Sequence, residues 1–140
     1  MRLGFNIPNL GPAAGPENIV KVAQRAESLG YDTVWVTERL LWPINPQTPY
    51  AGTPDGSLPE EYKLQLDPLD ALTYAAAHTS RIGLGTSVLD MPYYNPVMLA
   101  RSLTTLDVLA YVKEDDGRAS VLAQWHHLLA RHVCVHNDLV

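Results

Sequence analysis

Residues 82–109 read IGLGTSVLDMPYYNPVMLARSLTTLDVL, and this stretch decides the fold. It begins with a short apolar run, passes through a polar segment, and reaches Asn95-Pro96, a pair that suits a helix start. We therefore predict a buried strand from Ile82 to Leu89, a tight exit loop, and a helix from Pro96 to Leu109. In β/α proteins the chemistry lies where strands end and helices begin, because exposed backbone and loop side chains converge there.

Two further units precede this stretch and repeat its strand–helix rhythm. Asp67 is expected to cap the second helix, and Gly30 to end the first, since glycine tolerates the left-handed conformation of helix ends. Alternation at this spacing implies parallel strands joined by right-handed crossovers, in an open α/β sheet or in part of a barrel. The predicted strands cover residues 2–7 and 33–36, and the predicted helices cover 16–29 and 68 to about 78.

A long loop from Leu40 to Leu66 separates the second strand from the second helix. Loops of this length are uncommon in compact domains and are often functional. Its aromatic side chains, with two from the exit loop of the third strand, either line a substrate or pack the loops down, and we favour packing. This aromatic set is Trp42, Tyr50, Tyr93 and Tyr94.

Composition limits the classes of function. A chain of 140 residues is the size of one domain, and 46% hydrophobic residues indicate a globular protein. The net charge of −5, without a cluster of Lys and Arg, argues against a nucleic-acid partner. No apolar run reaches membrane-spanning length or resembles a signal sequence, so we expect no membrane partner and a cytoplasmic location. The single cysteine, Cys134, excludes an internal disulfide.

The sequence changes character after Leu109. All 11 prolines precede position 97, whereas four of the five histidines and the cysteine follow position 125. We predict a helical tail over 110–140, with its helix at 120–135, and no fourth strand. Histidine and cysteine are the usual zinc ligands, but their spacing here matches no standard motif, so no metal site is predicted. The residues concerned are His126, His127, His132, Cys134 and His136.

Four segments, taken in order and spacing, carry a resemblance to a known family. The four segments are Leu3-Gly-Phe-Asn-Ile-Pro, Gly30-Tyr-Asp-Thr-Val-Trp-Val-Thr-Glu, Arg81-Ile-Gly-Leu-Gly-Thr-Ser-Val and Asn95-Pro-Val-Met-Leu-Ala-Arg-Ser-Leu-Thr-Thr-Leu-Asp. Residues 1–109 thereby resemble the N-terminal part of the luciferase-like monooxygenases, in particular the branch that uses the deazaflavin coenzyme F420. The resemblance implies an α/β fold, a partial (β/α)8 TIM barrel of about three units followed by a divergent helical tail.

The resemblance also implies a cofactor, a substrate class and a site. Family members bind coenzyme F420 or, as the alternative, FMN at the C-terminal strand ends, act on small organic substrates, and are often homodimers. Many carry a strained non-proline cis peptide behind the ring, which here corresponds to Ser87-Val88. The implied cofactor-binding residues are Asn6, Glu38, Arg39, Thr86, Ser87, Val88 and Asp90.

The sequence departs from the family at two places. The sugar-phosphate dehydrogenase branch has a catalytic Asp-His pair after the second strand, where this chain has Glu38-Arg39. Arg39 stays charged and cannot act as a general base near neutral pH, so no catalytic residue is assigned and Arg39 is left to hold an anionic group. After Leu109 the family continues with a glycine-rich turn and a fourth strand.

The second departure leaves two interpretations of function. Because Tyr111-Val-Lys-Glu-Asp-Asp-Gly stands in place of the expected glycine-rich turn and fourth strand, we expect the tail to derive from truncation or a shifted reading frame. The first interpretation is an oxidoreductase that performs hydride transfer or monooxygenation with F420 or flavin. The alternative is a non-catalytic remnant or a self-associating structural module of the same family.

Overall fold

The computed structural model describes residues 2–111, which form three β/α units. The three strands make one parallel sheet in the order β1-β2-β3, so the predicted α/β class is confirmed. The elements are β1 (Gly4–Asn6), α1 (Pro16–Ser28), β2 (Thr33–Val36), α2 (Pro68–His78), β3 (Gly83–Thr86) and α3 (Pro96–Tyr111). Two short 3-10 turns, Glu60–Lys63 and Met91–Tyr93, lie in the loops after β2 and β3.

The outer strands are shorter than the sequence predicts. The third strand ends at Thr86 rather than Leu89, because its register partner Val36 is the last residue of β2. Beyond that point β3 has no neighbouring strand to pair with. The second strand, which pairs on both sides, has the predicted bounds.

Helix ends follow their local sequence signals. The Asp67 carboxylate accepts the N–H groups of Leu69 and Asp70 at 2.9 and 3.0 Å, which confirms the predicted cap. Gly30 has φ +83° just after α1, as expected for a helix terminator. Asn95 accepts the N–H of Val97 at 3.0 Å and so opens α3.

The core lies between one face of the sheet and the helices. Val34 and Val36 of β2 are completely buried on this face, and α1 and α2 cover them with small and branched apolar side chains. Burial of these side chains is the main source of stability. The helical contributors are Ile19, Ala23 and Ala26 from α1, Ala71, Leu72, Ala75 and Ala76 from α2, and Leu106 from α3.

The opposite face of the sheet carries Trp35, which lies across its two neighbouring strands. A Cβ atom at Gly4 of β1 would come within 2.2 Å of the Trp35 ring, and one at Gly85 of β3 within 2.7 Å. The absence of side chains at these two positions therefore makes room for the indole. Its Nε1 donates to the Thr33 hydroxyl at 2.8 Å, which fixes the ring over the sheet.

One prediction about the third exit is wrong. The peptide between Ser87 and Val88 is trans, since no cis peptide occurs among the described residues. A non-proline cis peptide costs about 3–4 kcal/mol and persists only where the surrounding structure holds it. In the part of the chain described, this segment borders the edge of a three-stranded sheet.

Two predictions fall elsewhere in the chain. The helix predicted over 120–135 and the histidine–cysteine set of the tail lie outside residues 2–111. Within that range, every helix is too short or too polar to cross a membrane.

Candidate functional site

The candidate site lies at the C-terminal edge of the sheet, where β2 and β3 pass into their exit loops. Glu38 comes two residues after β2, and Asp90 comes four residues after β3. Because parallel strands end at the same edge, residues that are far apart in sequence meet here. Both residues belong to the set predicted from the resemblance, and the structure brings them into contact.

Glu38 joins the two exit loops through its carboxylate. Its Oε2 accepts the N–H of Asp90 at 2.6 Å, and its Oε1 accepts the hydroxyl of Tyr94 at 2.6 Å. Asp90 forms a second link between the same two loops, since its Oδ2 accepts the N–H of Leu40 at 3.1 Å. Hydrogen bonds to an ionised acceptor are stronger than neutral ones, so this arrangement fixes the loop after β2 against the loop after β3.

Tyr94 is a member of this cluster that the sequence did not assign to the cofactor site. Burial, the hydrogen bond to Glu38 and the negative charge of that carboxylate raise the pKa of the Tyr94 hydroxyl far above its usual range. The hydroxyl therefore keeps its proton at neutral pH and is the donor to Glu38. The sequence placed Tyr94 in the aromatic set, but it did not predict a hydrogen-bond partner for the hydroxyl.

Arg39 points to a different group of residues from Glu38. Its guanidinium carbon lies 5.9 Å from the centre of the Tyr50 ring and 5.3 Å from the centre of the Tyr62 ring. The two rings meet edge to face with 6.0 Å between their centres, and their hydroxyl oxygens are 3.5 Å apart. The long loop therefore folds back so that its tyrosines enclose a cation from the end of β2.

The aromatic set divides between the two sides of the site. Trp42 lies under the Lys63 ammonium, with 5.0 Å from nitrogen to ring centre, and Tyr50 packs on Tyr62. Tyr94 contacts Glu38, whereas Tyr93 is 65% exposed. These contacts hold loop residues to one another, as the packing interpretation expects.

Asn9 is a buried polar residue at this edge that sequence reasoning missed. It is 1% exposed, and its side-chain nitrogen donates to the carbonyls of Thr37 at 2.7 Å and Leu66 at 3.4 Å. Its side-chain oxygen accepts the N–H of Thr37 at 3.3 Å. The Asn9 amide thus ties the exits of β1 and β2 to the end of the long loop. An asparagine two residues after the end of a predicted strand was the available signal.

Two of the remaining predicted site residues lie on opposite faces of the sheet. Asn6 is the register partner of Trp35 and shares its face, with its side chain exposed. Thr86 is the register partner of Val36, so alternation along the strand directs its side chain toward the helix-covered face. The side chains of Asn6 and Thr86 therefore do not face the same side of the sheet.

Ser87 and Val88 form the exit of β3. The N–H and the hydroxyl of Ser87 both donate to the Val36 carbonyl, at 2.8 and 3.0 Å. This pair of bonds holds the exit of β3 against the end of β2. Val88 follows with 46% of its surface exposed and offers an apolar platform at the edge.

A groove of about 480 Å³ runs beside the free edge of β1. Its walls come from β1 and its exit, from α1, and from the end of β2, so it reaches the same edge of the sheet as the cluster around Glu38. The residues that define it include Phe5, Asn6, Asn9, Val22 and Thr37.

The residues at this edge fit the ring of a flavin or deazaflavin. Such a ring requires hydrogen bonding along one edge and apolar surface against its face. The Asn6 side-chain amide, which carries both donor and acceptor atoms, has no partner among residues 2–111, and Val88 supplies exposed apolar surface. In the same range no group of three or more His, Cys, Asp or Glu side chains could hold a metal ion.

Comparison with known proteins shows the family of the chain. The model of the luciferase-like monooxygenase family matches residues 1–120. An uncharacterized protein of Mycobacterium tuberculosis is 41% identical over 100 residues, which cover 71% of this chain and 34% of that protein. An F420-dependent glucose-6-phosphate dehydrogenase of Amycolatopsis mediterranei is 31% identical over 97 residues, covering 69% of this chain and 25% of the enzyme.

A solved structure shows the same fold. A monooxygenase from Streptomyces bottropensis superimposes with a TM-score of 0.58 and 24% identity, over 93% of this chain and 36% of that chain. The chain spans about a third of the length of the first of these relatives. Its three β/α units correspond to part of a luciferase-like TIM barrel. With the family match over residues 1–120, the chain belongs to the luciferase-like monooxygenase family.

Proposed function

We propose that this chain is part of an oxidoreductase that binds coenzyme F420, or FMN as the alternative, at the C-terminal edge of its sheet. The observation that carries the proposal is the convergence of Glu38, Asp90 and Tyr94 at this edge of the sheet, where the amide of Asn6, at the end of β1, has no partner among residues 2–111. The preference for F420 is supported by a relative whose name states that coenzyme. The substrate is a small organic molecule that exchanges hydride or is oxygenated.

The residues of this chain bind and orient in the proposed reaction. When bound, the cofactor supplies hydride transfer at its ring. Asn6 would hold the cofactor through hydrogen bonds of its side-chain amide, and Val88 through apolar contact. Glu38 holds the two exit loops together and keeps the Tyr94 proton at the hydroxyl oxygen, so the shape of the site is retained when a ligand enters.

Titration of the purified chain with F420 and with FMN, followed by fluorescence, tests the proposal. We expect saturable binding with the tighter dissociation constant for F420. Val88→Glu, which puts a charge on the exposed apolar platform, should weaken binding by about tenfold or more. Because Val88 is 46% exposed, the variant should keep its fold, which circular dichroism checks.

Val108→Glu is the matched control for this experiment. Val108 is 56% exposed near the far end of α3, so the same substitution there should leave the dissociation constant unchanged. Failure of the well-folded chain to bind either cofactor would contradict the proposal and favour a non-catalytic remnant. Equal loss of binding in both variants would contradict the location of the site.

We also propose that the chain works in the cytoplasm as a homodimer. In the part of the chain that the structure describes, strands β1 and β3 are the two edges of the sheet, and exposed edges require a partner or a cover. On α3, Val97 and Met98 are exposed apolar side chains that suit burial in an interface. Sedimentation equilibrium should give twice the chain mass, and a monomer at all concentrations would contradict the proposal.

A further inference from the structure

The guanidinium of Arg39 is half-buried and lacks an acidic partner in the part of the chain that the structure describes. Within residues 2–111 its side chain lies against the faces of the Tyr50 and Tyr62 rings, at 5.9 and 5.3 Å from their centres. The neighbouring carboxylate of Glu38 is used by Asp90 and Tyr94. Arginine carries five N–H donors, and groups of this kind are normally satisfied when they are removed from water.

The ring contacts hold the guanidinium without using its donors. A cation is attracted to the face of an aromatic ring by the ring's quadrupole, and this attraction occupies no N–H group. Among residues 2–111 no acceptor occupies the planar fork of donors, which suits a ligand with two acceptor atoms. Carboxylates and phosphates match this fork with two parallel hydrogen bonds.

The two tyrosine hydroxyls supply a further donor beside the guanidinium. They lie 3.5 Å apart, so one donates to the other and the second keeps its proton for another acceptor. The hydrogen bond shared with Tyr50, together with burial, raises the pKa of the Tyr62 hydroxyl. Tyr62 therefore stays protonated at neutral pH and does not repel an anion.

Lys63, a cation in the long loop, has contacts of a different kind from those of Arg39. Lys63 Nζ forms an ion pair of 2.5 Å with Glu60 and lies over the Trp42 ring. Its charge is thus paired within its own turn, whereas Arg39 forms no ion pair within residues 2–111. This contrast distinguishes Arg39, at the end of β2, from Lys63 in the long loop.

We propose that Arg39, Tyr50 and Tyr62 form a binding site for an oxyanion, either a carboxylate or a phosphate. The site begins one residue after Glu38, so the anion binds next to the edge where the ring of the cofactor is proposed to lie. That the anion belongs to the substrate rests on the proposed function, whereas the binding of an oxyanion does not.

Calorimetric titration of the full chain with inorganic phosphate, at constant ionic strength set with chloride, tests the site without any cofactor. We expect saturable binding by the wild type and a loss of about tenfold or more in Arg39→Gln. Arg39→Lys keeps the charge and the ring contacts but loses the fork, and it should fall between the two. Equal phosphate affinity of wild type and Arg39→Gln, or no saturable binding by the folded wild type, would overturn the proposal.

Two further variants separate the site from general charge and from folding. Lys63→Gln removes a cation that is already paired, so its phosphate affinity should stay within about twofold of the wild type. Tyr62→Phe removes one hydroxyl and keeps the ring, so it should weaken phosphate binding severalfold while circular dichroism stays unchanged. If Lys63→Gln lost as much affinity as Arg39→Gln, binding would be diffuse and the proposal wrong.

The source of the oxyanion is distinguished with FMN and riboflavin, which share a ring and differ by a phosphate. If the substrate supplies the anion, Arg39→Gln leaves the dissociation constants of both compounds unchanged while phosphate binding is lost. If the cofactor supplies it, the variant weakens FMN binding and spares riboflavin. Loss of ring binding with intact phosphate binding would instead contradict the proposed function alone.

Discussion

The hydroxyl of Tyr94 donates to the carboxylate of Glu38 at 2.6 Å, although the two residues are 56 positions apart. The contact joins the exit of β3 to the exit of β2 above the last register pair of the sheet, Val36 and Thr86. Strand pairing has ended at this level, so side chains must hold the two loops together. Glu38 does so with both of its oxygens.

Removal of the Tyr94 hydroxyl should therefore loosen this edge. We expect Tyr94→Phe to lower the free energy of unfolding by about 1.5–3 kcal/mol, the usual contribution of a hydrogen bond to a charged group. Urea unfolding followed by circular dichroism measures the change. Tyr93→Phe is the matched control, because Tyr93 is 65% exposed and should change stability by less than about 0.5 kcal/mol. Equal effects of the two substitutions would show that the bond to Glu38 contributes nothing.

Asn9 should be less tolerant of substitution than any exposed asparagine. Asn9→Ala leaves the N–H of Thr37 without its side-chain acceptor in a buried setting, which costs about 1–3 kcal/mol. Equilibrium unfolding in urea measures the loss. Asn45→Ala serves as the control, since Asn45 is exposed in the long loop and its substitution should be nearly neutral. A neutral Asn9→Ala would mean that solvent reaches the Thr37 amide.

The elements that the sequence predicts correctly are those with local causes. The cap at Asp67 and the end of α1 at Gly30 each depend on residues within a few positions, and both are confirmed. The cluster at the candidate site depends on contacts across 28 to 57 positions, which no periodic pattern encodes. The resemblance supplied Glu38 and Asp90, but neither it nor the pattern supplied Asn9 or the bond from Tyr94.

The glycine at position 85 should be required by Trp35. A Cβ atom there would lie 2.7 Å from two carbons of the indole ring, and the bond from Trp35 to Thr33 prevents the ring from moving aside. We expect Gly85→Ala to cost about 1–3 kcal/mol in the free energy of unfolding, the usual cost of overpacking.

A double-mutant cycle identifies the cause of that loss. In a Trp35→Leu background the bulky ring is absent, so the added methyl of Gly85→Ala should cost less than in the wild type, with a coupling of about 1 kcal/mol. Urea unfolding of the four proteins gives the coupling. A cost independent of residue 35 would contradict the steric explanation and point to a backbone effect at Gly85.

The carboxyl group of Glu27 should make the stability of the fold depend on pH, through a turn at the N-terminal edge of the sheet. Its Oε1 accepts the N–H groups of Ser80, Arg81 and Ile82 at 2.8, 2.6 and 3.0 Å, where the chain enters β3. Burial favours a higher pKa, but these three donors and the charge of Arg81 outweigh it, and the pKa of the Glu27 carboxyl is lowered from 4.5. Ionised Glu27 therefore binds this turn more strongly than its neutral form.

Because the folded pKa of Glu27 lies below the unfolded one, its ionised form stabilises the fold above the unfolded value of 4.5. That contribution is lost as the pH falls through the lower, folded pKa. Glu27→Gln should cost about 1 kcal/mol in the free energy of unfolding at pH 7, and the difference from wild type should shrink as the pH is lowered from 6 toward 3. Urea unfolding across this pH range measures the difference.

Glu17→Gln is the control, because Glu17 is an exposed carboxylate on the same helix. Its free energy of unfolding should stay within about 0.5 kcal/mol of the wild type. A difference between wild type and Glu27→Gln that stayed constant with pH would show that the charge of Glu27 does not hold the turn.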